Sequence, residues 1–179
     1  MNSMFGDCEK LNSLDLSGFN TGNVTDMMSM FSGCSSLTSA VIGNGITSIG
    51  ENAFYECKGL TEIHIPAGVT VIDTAAFWFC DKLTTVTFEE NSQLTQIGAL
   101  SFYYCESLSS IVIPINVTLI ENDVFWGCIA LTAATFENTE GWTGYDMWTG
   151  QNVPISATDL ANPSTAATLL KSGWHLIRT

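Results

Sequence analysis

The sequence is poor in positive charge: five Lys and Arg stand against eighteen Asp and Glu in 179 residues, a formal charge of −13. That balance argues against nucleic acid, whose phosphates call for clustered cations. Histidine is scarce too, with only His64 and His175. The G-x-S-x-G, H-E-x-x-H and Walker-type signatures are missing, and so is a D-x-D-x-D-G calcium loop. No enzyme, cofactor or metal is therefore expected. No apolar run approaches the ~18–20 residues of a membrane span, so no membrane insertion is expected within this chain. Residues 1–30 hold no basic start followed by an apolar stretch, so no signal peptide is visible. Only 13% of the chain is charged while 46% is hydrophobic, which excludes disorder. The length fits one domain, or one with a small appendage.

Six cysteines, read by count alone, suggest three disulfides and a secreted protein. Their spacing says otherwise. They stand at 8, 34, 57, 80, 105 and 128, with Phe5, Phe31, Phe54, Phe77, Phe102 and Phe125 three residues before them. Leu11, Leu37, Leu60, Leu83, Leu108 and Leu131 lie three residues after. The string F-x-x-C-x-x-L thus occurs six times and uses every cysteine. A period in the low twenties marks a solenoid, in which each repeat covers its neighbour's apolar face.

Apolar alternation fixes the conformation within a repeat. Leu60-Thr-Glu-Ile63-His-Ile65 and Leu108-Ser-Ser-Ile111-Val-Ile113 alternate with period two and read as short strands with one buried face. Pro66 and Pro114 follow two of these strands, where a residue without an N–H suits a strand end. A second extended segment such as Val69-Thr-Val-Ile72 leads to the next Phe. Glu51, Asp73 and Glu121 precede the Ala/Val-Phe pairs, as carboxylates would at the start of a short helical or 3₁₀ turn. Each rung is read as strand, turn, second extended segment and short helical turn.

The L-x-x-L-x-L spacing with a cysteine column is the leucine-rich-repeat pattern. The fuller string SIGENAFYECKGLTEIHIP (48–66) resembles the BspA-like bacterial leucine-rich repeat, and four consecutive rungs from Leu37 to Thr132 follow it. The first two rungs are similar to a sister repeat of bacterial surface lipoproteins, with M-F-x-x-C and L-D-L-S elements. This resemblance implies an α/β repeat fold, a right-handed leucine-rich-repeat solenoid of short parallel strands with short helical or 3₁₀ turns. It also implies a cell-surface or extracellular protein that contacts a host or neighbouring-cell protein, or a glycan, without catalytic residues. The alternative is a structural spacer within a longer surface protein.

Met1-Asn-Ser-Met4-Phe5 aligns with Met27-Met-Ser-Met30-Phe31, so the chain starts within a repeat column. It is expected to be a fragment of a longer surface protein. Residues 1–141 are assigned to the solenoid and 142–179 to a small α+β C-terminal cap. In the cap, two apolar stretches around Thr149-Gly150 read as a hairpin. Asn162, Pro163 and Gly173 punctuate a helix over 163–172, and Trp174 to Ile177 reads as a final strand.

Stacked rungs place equivalent residues about 4.8 Å apart. Parallel Cβ vectors at that distance exceed the ~3.5–4.5 Å that a disulfide prefers. Six reduced, buried thiols are expected; disulfides and metal binding are the competing readings. Asn23-Val-Thr25 and Asn116-Val-Thr118 match a glycosylation sequon, which a bacterial protein would rarely use.

Two surfaces are candidates for contacts. On the strands, small and β-branched residues dominate the outward positions, with Glu62 and His64 as strong exceptions on one rung. The residue after each repeat Phe reads Gly6, Ser32, Tyr55, Trp78, Tyr103 and Trp126, and the next column adds Phe79 and Tyr104. Stacked a rung apart, these rings form either a contact stripe for protein or glycan or a set of rings packed on one another. Tyr55, Trp78, Tyr103, Trp126, Glu62 and His64 are therefore the candidate partner-binding residues. Rung four carries two extra residues in Glu89–Gln93, read as length variation in a loop.

Overall fold

The computed structural model describes residues 2–22, 24, 27–146 and 150–179. Asn23 and Thr25 of the first sequon, the first residue Met1 and the turn residue Thr149 fall outside them. The chain coils with two short strands per rung. The front strands are β1 (Ser13–Asp15), β2 (Ser39–Val41), β4 (Glu62–Ile65), β6 (Thr85–Phe88), β8 (Ser110–Ile113) and β10 (Ala133–Phe136). The back strands are β3 (Ser48–Ile49), β5 (Val71–Ile72), β7 (Gln96–Ile97) and β9 (Leu119–Ile120).

Front strands pair in twos, β1 with β2, β4 with β6 and β8 with β10, all parallel. Their register is that of the repeat, with Glu62 opposite Thr85 and Ser110 opposite Ala133. The residue after the strand accounts for the pairing. It is proline after β4 and β8 (Pro66, Pro114) but glutamate after β6 and β10 (Glu89, Glu137). The Glu89 and Glu137 amides donate to Ile65 and Ile113 at 3.0 and 3.1 Å, lengthening the β4–β6 and β8–β10 ladders. Their carboxylates accept from the amides of Ala67 and Ile115, both at 2.8 Å. Pro114 has no N–H to give Phe88 at the equivalent point.

The core is a set of columns, one residue deep per rung. Phe31, Phe54, Phe77, Phe102 and Phe125 are fully buried and their rings stack. Successive centroids lie 5.0 to 5.4 Å apart. Phe5, in the first rung, is half-buried and has one ring neighbour, Phe31, at 5.6 Å. Leucine, isoleucine and alanine columns fill the space around the stack.

All six cysteines are free. Five are buried, and each thiol donates to the carbonyl of the repeat Phe one rung earlier, from Cys34 to Phe5 at 3.0 Å through Cys128 to Phe102 at 3.1 Å. The expected ladder of six buried thiols is corrected at its first member: Cys8 is exposed. Two threonine ladders run beside it. Thr38, Thr61 and Thr84 each send both N–H and O–H to the carbonyl one rung back, and Thr70, Thr95 and Thr118 do the same on the back strands. Inter-rung cohesion is therefore partly polar.

The F-x-x-C segments are not continuous helices. Single i to i+3 bonds, such as Cys57 N–H to Phe54 O at 3.1 Å, close each turn, but two positions per turn are left-handed. One set includes Asn52, Ala75, Leu100 and Asp123; the other includes Glu56, Phe79 and Tyr104. A left-handed residue costs about 1–2 kcal/mol without glycine. Here the turned-out amides donate to the next rung: Asn52 to Thr74, Phe54 to Ala76 and Glu56 to Trp78. The turns thus form a third hydrogen-bonded column, which offsets the backbone cost.

After β10 come β11 (Trp142–Asp146), β12 (Gln151–Pro154), α1 (Ala157–Ala161), α2 (Pro163–Leu170) and β13 (His175–Arg178). Asn162 caps α2 through its side-chain oxygen, with Pro163 just inside, as the sequence predicts; α2 ends two residues early and α1 is additional. The α2 helix packs on β10, and Lys171 donates its ammonium to Leu131 O at 2.6 Å. Strand β13 adds antiparallel to β9, β11 to β13 and β12 to β11, so the tail extends the back sheet. In the last rung the Asp123 amide donates to Gly173 O at 3.3 Å, where earlier rungs use the next repeat.

Candidate functional site

Each repeat Phe turns inward, the amides of Phe5, Phe31, Phe54, Phe77 and Phe102 being held by the following rung, and the next residue turns outward. Tyr55, Trp78 and Tyr103 are half-buried by this geometry, as are Phe79 and Tyr104 in the neighbouring column. Their rings form an unbroken run. Tyr55 meets Trp78 edge-on at 5.6 Å and Trp78 meets Tyr103 at 5.4 Å. Phe79 and Tyr104 are 5.6 Å apart, and Tyr103 and Tyr104 4.8 Å. The rings pack on one another and still keep part of their surface in solvent. The Trp78 Nε1–H is buried without a hydrogen-bond partner. Trp126 is 46% exposed.

Tyr55 and Tyr103 hold their protons more tightly than usual. For Tyr55 the leading cause is its hydrogen bond with Glu56, followed by burial. For Tyr103 it is burial, then the charges of Tyr104 and Asp123. They stay hydroxyl donors well into the alkaline range.

At the C-terminal end, the flank opens into a cleft of about 300 Å³, lined by Leu100, Tyr103, Asp123, Trp126, Ser172, Gly173 and Trp174. Trp174 enters from the segment between α2 and β13. It lies over Gly144 of β11, where a Cβ would run into the indole. Gly173 is left-handed (φ +81°), and a Cβ there would meet the Asp123 carboxylate at 2.6 Å. The two glycines make room for the tryptophan and the carboxylate. Repeat logic finds Tyr103 and Trp126 but gives no sign of Asp123, which sits in a left-handed backbone column, or of Trp174, which lies outside the period.

Glu62 and His64 are not brought to this flank. They line a separate hollow of about 270 Å³ on the strand face with Val41, Thr85 and Thr87. His64 Nδ1 lies 2.9 Å from the Thr87 hydroxyl. A third hollow of about 470 Å³ borders the longer loop of rung four, with Glu89, Glu90 and Glu137 on its wall. Two of those carboxylates already bind backbone amides, as described above. Among the described residues, no group of three or more His, Cys, Asp or Glu is placed to hold a metal. Among the same residues, no helix is long and apolar enough to cross a membrane.

Comparison with known proteins follows the fold. Residues 27–145 match the model of the BspA type leucine rich repeat region, in six copies. Among solved structures, a leucine-rich repeat protein of T. pallidum is 32% identical over 57% of this chain, with a TM-score of 0.55. A leucine-rich repeat protein of Bacteroides ovatus is 24% identical over 77% of the chain, with a TM-score of 0.52, and supports the fold alone. The chain spans 47% and 40% of the lengths of those two proteins. A search of curated proteins finds no match.

Proposed function

This chain belongs to the BspA-type leucine-rich repeat family, and from that premise we propose that it is a non-enzymatic recognition module of the cell surface or extracellular space, which engages a protein partner through its aromatic flank. The single observation that carries the reading is the run of ring contacts over rungs three to five, followed by the exposed Trp126 of rung six, on positions where the core is already filled by Phe. Half-exposed aromatics bring a large contact area at little conformational cost, and tryptophan and tyrosine dominate binding energies at interfaces. Burial raises the pKa of Cys57, Cys80 and Cys105 and leaves little reactive thiolate, so these thiols are compatible with either redox compartment.

The test is a binding screen of the immobilised chain against surface proteins and glycans, followed by Trp78→Ala and Trp126→Ala variants. A partner found by the screen should lose at least tenfold in affinity with either variant while circular dichroism and melting hold. Undiminished binding by both folded variants would remove the flank from the interface. A second reading, a spacer that displays other parts of a longer surface protein, draws on the chain matching under half the length of its solved relatives. It predicts that the screen returns nothing the flank variants alter.

A further inference from the structure

We propose that the cleft between Tyr103, Trp126 and Trp174 receives an arginine side chain of a partner protein, its guanidinium lying on the indole faces and paired with Asp123. This rests on the flank being a contact surface and names what its C-terminal end recognises.

Three aromatic rings and one carboxylate line the cavity, which has no cationic group of its own. Ring faces carry the negative lobe of the aromatic quadrupole, and a carboxylate beside them adds a full charge of the same sign. Asp123 is poorly committed: Oδ2 accepts from Asn122 Nδ2 at 3.1 Å, and among the described residues Oδ1 takes no hydrogen bond. The one ion pair among those residues, Lys58 with Glu56, is elsewhere. The neighbouring cations are engaged already. Lys171 donates to Leu131 O at 2.6 Å, and Arg178 donates to Ile115 O at 2.8 Å with its guanidinium 5.9 Å from the Trp142 ring.

The charge of −13 favours a positive partner throughout its approach. A neutral sugar fits less well, since it needs several hydrogen-bonding groups around its hydroxyls. The cleft offers Asp123, the Tyr103 hydroxyl and Ser172, whose Oγ is spent on Leu169 O at 2.6 Å. A planar guanidinium stacks on tryptophan and offers paired N–H donors to a carboxylate, which a compact ammonium does not. The volume of about 300 Å³ holds a side-chain terminus rather than a folded element.

The experiment is ¹H–¹⁵N spectroscopy of the whole chain, following the five indole N–H signals assigned by single Trp→Phe variants. N-acetyl-arginine amide is titrated against its neutral isostere N-acetyl-citrulline amide and against methyl glucoside. Saturable shifts of Trp126 and Trp174, at least tenfold weaker with citrulline and with Asp123→Asn, are expected. Asparagine tolerates the left-handed backbone at 123, so that variant keeps the fold. Equal binding of citrulline, no effect of Asp123→Asn, or shifts with the glucoside alone would overturn the assignment. Trp78→Ala, outside the cleft, separates the two readings. Partner capture that depends on Trp78 without any arginine shift sinks the cleft and leaves the flank standing.

Discussion

Replacing Phe77 with alanine removes the middle ring of the stack. Phe77 is fully buried, with Phe54 and Phe102 each 5.1 Å away and their planes within 6° of its own. A buried Phe→Ala change costs about 3–5 kcal/mol through lost transfer energy and the remaining cavity. Two ring contacts, each worth about 0.5–1.5 kcal/mol beyond area, put Phe77 at the upper end of that range. Phe5 provides the internal control. It is half-buried and stacks on one ring only, at 5.6 Å, so Phe5→Ala should cost about 1–2 kcal/mol. Urea unfolding followed by far-UV circular dichroism measures both. Phe77→Leu keeps most of the apolar volume and should cost about 1.5 kcal/mol, so it reports even if the alanine variant does not fold. Solenoid repeats are coupled only to their neighbours, so a central lesion should also lower the denaturant slope as the two halves melt apart. Equal midpoint shifts for Phe5→Ala and Phe77→Ala would refute the claim that stacking between rungs holds the solenoid together.

Native thiol titration without reductant should find one fast-reacting thiol, Cys8, and six after denaturation; two or fewer in denaturant would mean disulfides. Alkali should destabilise the fold. Burial pushes the Cys128 thiol up to about 12 from 9.0, so its contribution is fully present below pH 9 and is lost as pH rises toward 12. That loss is about 1.4 kcal/mol at pH 10 by linkage, and Cys128→Ala should flatten the fall in Tm between pH 9 and 11. Ser101 is fully buried and its hydroxyl has no partner, in a column where other rungs carry Ala53 and Ala76. Ser101→Ala should therefore stabilise by about 1 kcal/mol, read as a rise in Tm; a loss of stability would mean the hydroxyl has a partner in solution.

Much of the fold is legible in the sequence because a solenoid repeats one environment. The Phe, Cys and Leu columns, the strands and even their register follow from aligning six copies of one pattern. The Pro66/Glu89 and Pro114/Glu137 alternation was equally visible, but its meaning depends on which amide faces which carboxylate across rungs. The turn conformation was not legible. Carboxylates before Ala-Phe suggest a helix start, whereas Ala75 and Leu100 adopt left-handed backbone because the next rung accepts their amides, and Asp123 because Gly173 of the tail does. The exposure of Cys8 likewise reflects neighbours rather than local sequence.

The aromatic flank divides in the same way. The column of Tyr55, Trp78, Tyr103 and Trp126 can be read from spacing alone, since each follows a core Phe. The cleft at its end cannot, because Asp123 and Trp174 are 51 residues apart in a chain that has lost its period between them. Scarcity of positive charge, the repeat and the core columns are sequence properties. They depend on residue type and a constant step along the chain. Tertiary structure alone decided which donors meet which carbonyls and where the tail lays its tryptophan, because those contacts join segments that no local pattern relates.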